Sequence, residues 1–163
     1  MRPHESADRL REFARANGVD LNECTPLAGI AQMLLFYRDL AVEGCSHEDG
    51  DMVLFQWGTY DWGKGPAFEL DITRQFIDMH PGYEDDDEGD EDDDYEEQGQ
   101  FSQLSLTFHF AASPELAALG AGNRWCHTQA ELDDFAAYIR GTVAMQALEL
   151  TRAKRVVLDH ELV

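Results

Sequence analysis

The chain has 163 residues, 44% of them hydrophobic, with nine Phe, five Tyr and three Trp, which is the length of one ordinary domain with enough apolar mass for a sizeable core. Its formal net charge is -21, and so acidic a surface repels phosphate backbones and anionic lipid at long range, which argues against direct nucleic-acid binding. Cys24, Cys45 and Cys126 are odd in number and widely spaced, a pattern that suits free thiols in a reducing compartment better than a disulfide framework.

The opening MRPHESADRLREF scatters charges and has no apolar block, so neither a secretory signal nor a transit peptide is expected and a cytoplasmic location follows. The longest apolar stretch, Met33 to Tyr37, is far too short to span a bilayer. Residues 6 to 17 read as a short amphipathic helix, with Ser6 as N-cap, Leu10 and Phe13 on one face and Asn17-Gly18 as the stop. A second helix is marked by Thr25 as cap and Pro26 at the first helical position, with Leu27, Ile30, Leu34 and Tyr37 or Arg38 at helical spacing until Gly44.

After a polar loop from Cys45 to Asp51 the period shortens. MVLFQWGTYDW and AFELDITRQF are rich in aromatic and β-branched residues and flank the turn Gly63-Lys64-Gly65-Pro66, which predicts a hairpin. In its second strand Phe68, Leu70 and Ile72 face one way and Glu69, Asp71 and Thr73 the other, so one sheet face is covered and the other at least partly wet. FSQLSLTFHF, Phe101 to Phe110, alternates cleanly and predicts a third strand, with Ser105, Thr107 and His109 on its polar side.

Ser113-Pro114 opens a helical turn to Leu119, and Asn123 to Cys126 adds a short strand. Thr128 with Glu131 forms a capping box for a helix running to about Leu150 through Leu132, Phe135, Ile139 and Val143 or Met145, weakened at Gly141. The tail AKRVVLDHELV is open between strand and helix. Helices at both ends of hairpin-connected strands give an α+β class: one domain over 1–163, a central antiparallel sheet flanked by N- and C-terminal helices.

The most unusual segment is GYEDDDEGDEDDDYEEQG, Gly82 to Gly99, with twelve acidic residues and no basic one. Outside it, 21 acidic residues face 12 basic ones, so the remainder still carries -9. A calcium loop of the EF-hand kind needs Gly sixth and Glu twelfth; placing Gly89 sixth makes Glu84 first and puts Tyr95 twelfth, so the spacing fails and only weak, diffuse divalent binding stays open. The run is expected to be a flexible, solvated inter-strand loop at about 83–99, either inert or attracted to a basic partner.

Other constellations point away from catalysis. GTYDWGKG, Gly58 to Gly65, nearly matches a phosphate-binding loop, but Gly65 stands where Ser or Thr would hold magnesium, and Pro66 and a strand follow in place of a helix. Cys45, His47, Cys126 and His127 are metal-ligand types, yet adjacent Cys126 and His127 rarely aim at one ion, so no metal site and no cofactor are expected. No G-x-S-x-G, H-E-x-x-H or G-x-G-x-x-G occurs.

The expectation is therefore a non-catalytic protein-binding or inhibitor protein acting on a basic partner. Small size, acidity, the α+β pattern and the lack of catalytic motifs look like those of bacterial toxin-immunity proteins, a likeness of type without a shared motif. The expected contacts are Asp85, Asp86, Asp87, Asp92, Asp93 and Asp94, with Tyr60, Trp62, Tyr83 and Tyr95 as apolar anchors. Two alternatives stand beside it: a small hydrolase or isomerase using His109 with a nearby carboxylate such as Asp71 or Asp61, and a structural homodimer without ligand.

Overall fold

A computed structural model describes residues 2–21, 24–63, 65–78, 100–151 and 155–162. Six strands, β1 (Cys24–Pro26), β2 (Met52–Asp61), β3 (Pro66–Asp78), β4 (Gln100–Ala111), β5 (Gly122–Cys126) and β6 (Arg155–Leu162), form one sheet in the order β1-β6-β4-β3-β2-β5. Every neighbouring pair is antiparallel. The helices are α1 (Pro3–Ala16), α2 (Leu27–Val42), α3 (Pro114–Ala117), α4 (Gln129–Asp133), α5 (Phe135–Arg140) and α6 (Val143–Leu150), with a single 3-10 turn at His47–Asp49. The α+β class with a helix-flanked antiparallel sheet is thus what the alternation and capping signals indicated.

Alternation divides the sheet into two unlike faces. Phe55, Phe68, Leu70, Ile72, Leu104, Leu106, Phe108 and Phe110 are fully or almost fully buried and join Leu10, Ile30, Met33, Leu34, Phe135 and Ile139 of the helices in one core. Two contacts fix the helices there. Phe13 of α1 and Phe36 of α2 stack at 4.0 Å with their planes 4° apart, and the Tyr37 hydroxyl donates to the Leu104 carbonyl of β4 at 2.5 Å. Desolvation raises the Tyr37 pKa far above its ordinary value, keeping the phenol protonated.

Among the described residues an ion pair enters this core. The Arg74 side chain of β3 lies on the covered face, pairs with Asp51 at 3.2 Å, donates to the Glu43 carbonyl at 2.6 Å and sits 4.1 Å from the centre of the Phe76 ring. At the edge, Gly122 of β5 pairs with Trp57 of β2; a Cβ there would come within 2.7 Å of the indole, so only glycine lets the ring lie across the strand.

Several boundaries differ from the sequence reading. α1 begins at Pro3, where the Glu5 carboxylate accepts the Arg2 N–H at 2.9 Å, and Ser6 is buried inside the helix. Thr25 is not a cap: Cys24–Pro26 pairs with β6, and α2 starts one residue later behind Pro26. The expected long C-terminal helix is three short ones, broken at Asp134 and again at Gly141, where the Thr142 hydroxyl accepts the Ala144 N–H at 3.3 Å and caps a new helix. The capping box of Thr128 and Glu131 is present, and those bonds hold the Glu131 pKa below its ordinary value. The ambiguous tail is strand β6, inserted between β1 and β4.

Candidate functional site

The second face of the sheet carries Gln56 on β2, Glu69, Asp71 and Thr73 on β3, and Ser105, Thr107 and His109 on β4. The register decides which of them meet. Asp71 lies opposite Gln56 on one side and Thr107 on the other. Its carboxylate accepts from Gln56 at 3.1 Å, from Thr107 at 3.1 Å and from Thr73 on its own strand at 3.0 Å. Thr73 and Ser105, also opposite one another, share a hydrogen bond of 2.5 Å. The result is a ladder of neutral donors around one carboxylate.

Glu69 is placed differently. Its partner on β4 is His109, whose Nδ1 stands 3.7 Å from Oε2, and its partner on β2 is Gly58, which has no side chain to cover it. Into that space comes Trp62 from the turn. Its indole N–H donates to Glu69 at 2.7 Å and 3.1 Å, and its ring stacks on Tyr60 with centroids 5.8 Å apart and planes 21° apart. Glu69 is consequently only 7% exposed although nothing of the helical layer covers it, while Trp62 is 75% exposed. Gly63 and Gly65 have φ of 97° and 98°, the left-handed conformation that lets the turn fold back and aim Trp62 at the sheet.

These residues enclose an open groove of about 810 Å3 lined by Gln56, Tyr60, Trp62, Glu69, Asp71, Thr107, His109 and Val157. A smaller, more polar depression of about 410 Å3 continues along the face past Thr73, Ser105 and Glu161. Among the described residues neither Glu69 nor Asp71 has a Lys or Arg within ion-pair distance; His109 stands 3.7 Å from Glu69.

Of the expected contacts, Tyr60 and Trp62 are brought together at the mouth of this groove. Tyr83, Asp85, Asp86, Asp87, Asp92, Asp93, Asp94 and Tyr95 lie outside the described residues. The strand ends that frame them, Asp78 and Gln100, pair with each other. At the usual strand rise those ends are about 40 Å along β3 from the Pro66 end that holds the aromatic pair.

His109 does stand beside a carboxylate, but that carboxylate is Glu69. Asp71 is occupied by its three donors, and Asp61 turns back to accept the Gly63 N–H at 2.9 Å. Alternation alone puts Glu69 on the wet face and gives it no role. The signal that finds it is the count from the glycine turn, which sets it opposite Gly58 and leaves it room for a neighbour.

Two thiols elsewhere are enclosed: burial pushes the Cys45 pKa up to about 11 and raises that of Cys126, so both are neutral at neutral pH. Among the described residues no group of three or more His, Cys, Asp or Glu is disposed to hold a metal ion, and no helix is long and apolar enough to cross a membrane. No protein-family model, curated protein or solved structure matches the chain.

Proposed function

We propose that the chain is a cytoplasmic, non-catalytic binding protein of the inhibitor or immunity type, which takes a basic protein partner against its bare sheet face. The observation that carries this reading is the groove itself: two carboxylates without a Lys or Arg counter-charge among the described residues, bordered by the exposed Tyr60–Trp62 pair. Exposed aromatic rings beside polar groups are the composition of protein-binding hot spots. The net charge of -21 adds long-range attraction for a cationic surface, which speeds encounter and makes it sensitive to salt. The acids from Asp85 to Asp94 contribute to that attraction whatever they touch.

The test is recovery of the native complex followed by carboxyl labelling. A stoichiometric basic protein is expected at low salt, released between about 50 and 500 mM as screening shortens, with Glu69 and Asp71 protected from carbodiimide coupling in the complex. Absence of a stoichiometric basic partner, or protection confined to the helical side, refutes the reading.

A second reading, a hydrolase or isomerase using His109 with Glu69, is favoured by their 3.7 Å approach in a groove. It ranks second because the separation exceeds hydrogen-bond reach and Trp62 already occupies Glu69. Offered a panel of activated esters, the same purified protein is expected to turn over none. Turnover that disappears in His109→Ala would put the enzyme first.

A further inference from the structure

Resting on the docking reading above, we propose that the groove between Trp62 and β3 is a receptor for one arginine side chain of the partner. A carboxylate as enclosed as Glu69 ordinarily has a cation beside it, because desolvating an unpaired charge is costly. Here Glu69 accepts from the indole N–H of Trp62, with His109 standing off at 3.7 Å; Asp71 is held by three neutral donors. A carboxylate has about four acceptor sites, so Glu69 keeps lone pairs for a ligand.

The shape of the site selects among cations. Trp62 presents an indole face that is fixed from below by its bond to Glu69 and backed by Tyr60, and such a face attracts positive charge. A guanidinium is planar, so it lies flat on the ring while its edge N–H groups reach the carboxylate. The compact ammonium of lysine satisfies one of these contacts at a time. Pro66, Ala67 and Val157 give the groove an apolar wall along which the aliphatic stem of arginine packs. Gly58 opposite Glu69 leaves room for the Trp62 indole to reach the carboxylate, and the volume of about 810 Å3 admits the side chain with part of the backbone that bears it.

The experiment uses Nα-acetyl-arginine methylamide, with the lysine and citrulline analogues as controls, and follows the indole N–H resonances of the three tryptophans. Saturable movement of the Trp62 resonance is expected with the arginine probe, at least about tenfold weaker binding with lysine and none with the neutral citrulline, tenfold being 1.4 kcal/mol. Glu69→Gln should weaken binding about tenfold or more. Because that change also loosens the indole, Trp62→Phe, which keeps Glu69 and an aromatic ring, is the second variant, read through the Tyr60 ring signals, and an intermediate loss is expected.

Lys64, two residues after Trp62 in the sequence, lies outside the described residues, so the probe is also offered to Lys64→Gln. If Lys64→Gln alone binds the probe, the site stands with Lys64 as its resident competitor. If neither protein binds, or citrulline binds as well as arginine, the proposal is overturned. Failure here with a salt-sensitive native complex still recovered would sink the arginine site and leave the docking reading intact; loss of the native complex with probe binding retained would do the reverse.

Discussion

Arg74 and Asp71 are three residues apart on β3 and face opposite sides of the sheet. On the covered side Arg74 is 2% exposed, and the fold supplies its counter-charge in Asp51, a carbonyl acceptor in Glu43 and an aromatic plane in Phe76. On the bare side the fold supplies Asp71 with neutral donors and Glu69 with an indole and a histidine, and among the described residues no Lys or Arg. A charge that serves stability is neutralised where it is buried, since its desolvation must be offset. Charges held in place by neutral donors, beside an exposed ring, are what the proposed docking of a basic partner would use. The contrast within one strand is the strongest argument that the two faces have different tasks.

The contrast can be broken most forcefully from the covered side. Phe108 has no exposed surface and sits at the centre of the core, so Phe108→Ala should cost about 3–5 kcal/mol, read as a lower urea midpoint at an unchanged slope. Next comes Asp51→Asn, which strands the Arg74 guanidinium; about 3 kcal/mol is expected because the loss leaves a buried charge uncompensated, measured the same way. The smallest effect should be on the bare side: Trp62 is mostly exposed, so Trp62→Ala should change unfolding free energy by no more than about 0.5 kcal/mol while removing the partner's release profile with salt. A Trp62→Ala protein as destabilised as Asp51→Asn would mean that the groove residues are structural and the comparison is false.

Much of this was legible from residue order. The alternation in FSQLSLTFHF fixes which side of β4 is apolar, and Leu104, Leu106, Phe108 and Phe110 are all buried. The glycines around Lys64 place the hairpin, and Thr128 with Glu131 marks a helix start. Positions decided by distant partners were not legible. Thr25 and Pro26 carry helix-start chemistry, yet β6 recruits them into the sheet. Arg74 falls on the covered face by the count from Ile72, but nothing in the alternation names Asp51, from the approach to β2, as its counter-charge. Glu69 and Asp71 were visible as the wet side of a strand, but a groove needs the turn to swing Trp62 over β3, and that depends on backbone angles at Gly63 and Gly65 that hydrophobic periodicity does not encode.

The place of β6 between β1 and β4 bears on how the nascent chain acquires its structure. Among the described strands β1 pairs with β6 alone, so the first strand to leave the ribosome waits for the last, on the order of ten seconds at ordinary elongation rates. During that interval β4 presents an unpaired backbone edge to whatever extended segment passes by. Closure of the sheet therefore waits for Arg155–Leu162 to be made, and a chain stalled before Arg155 would hold both of its long hairpin strands with one flank unsealed.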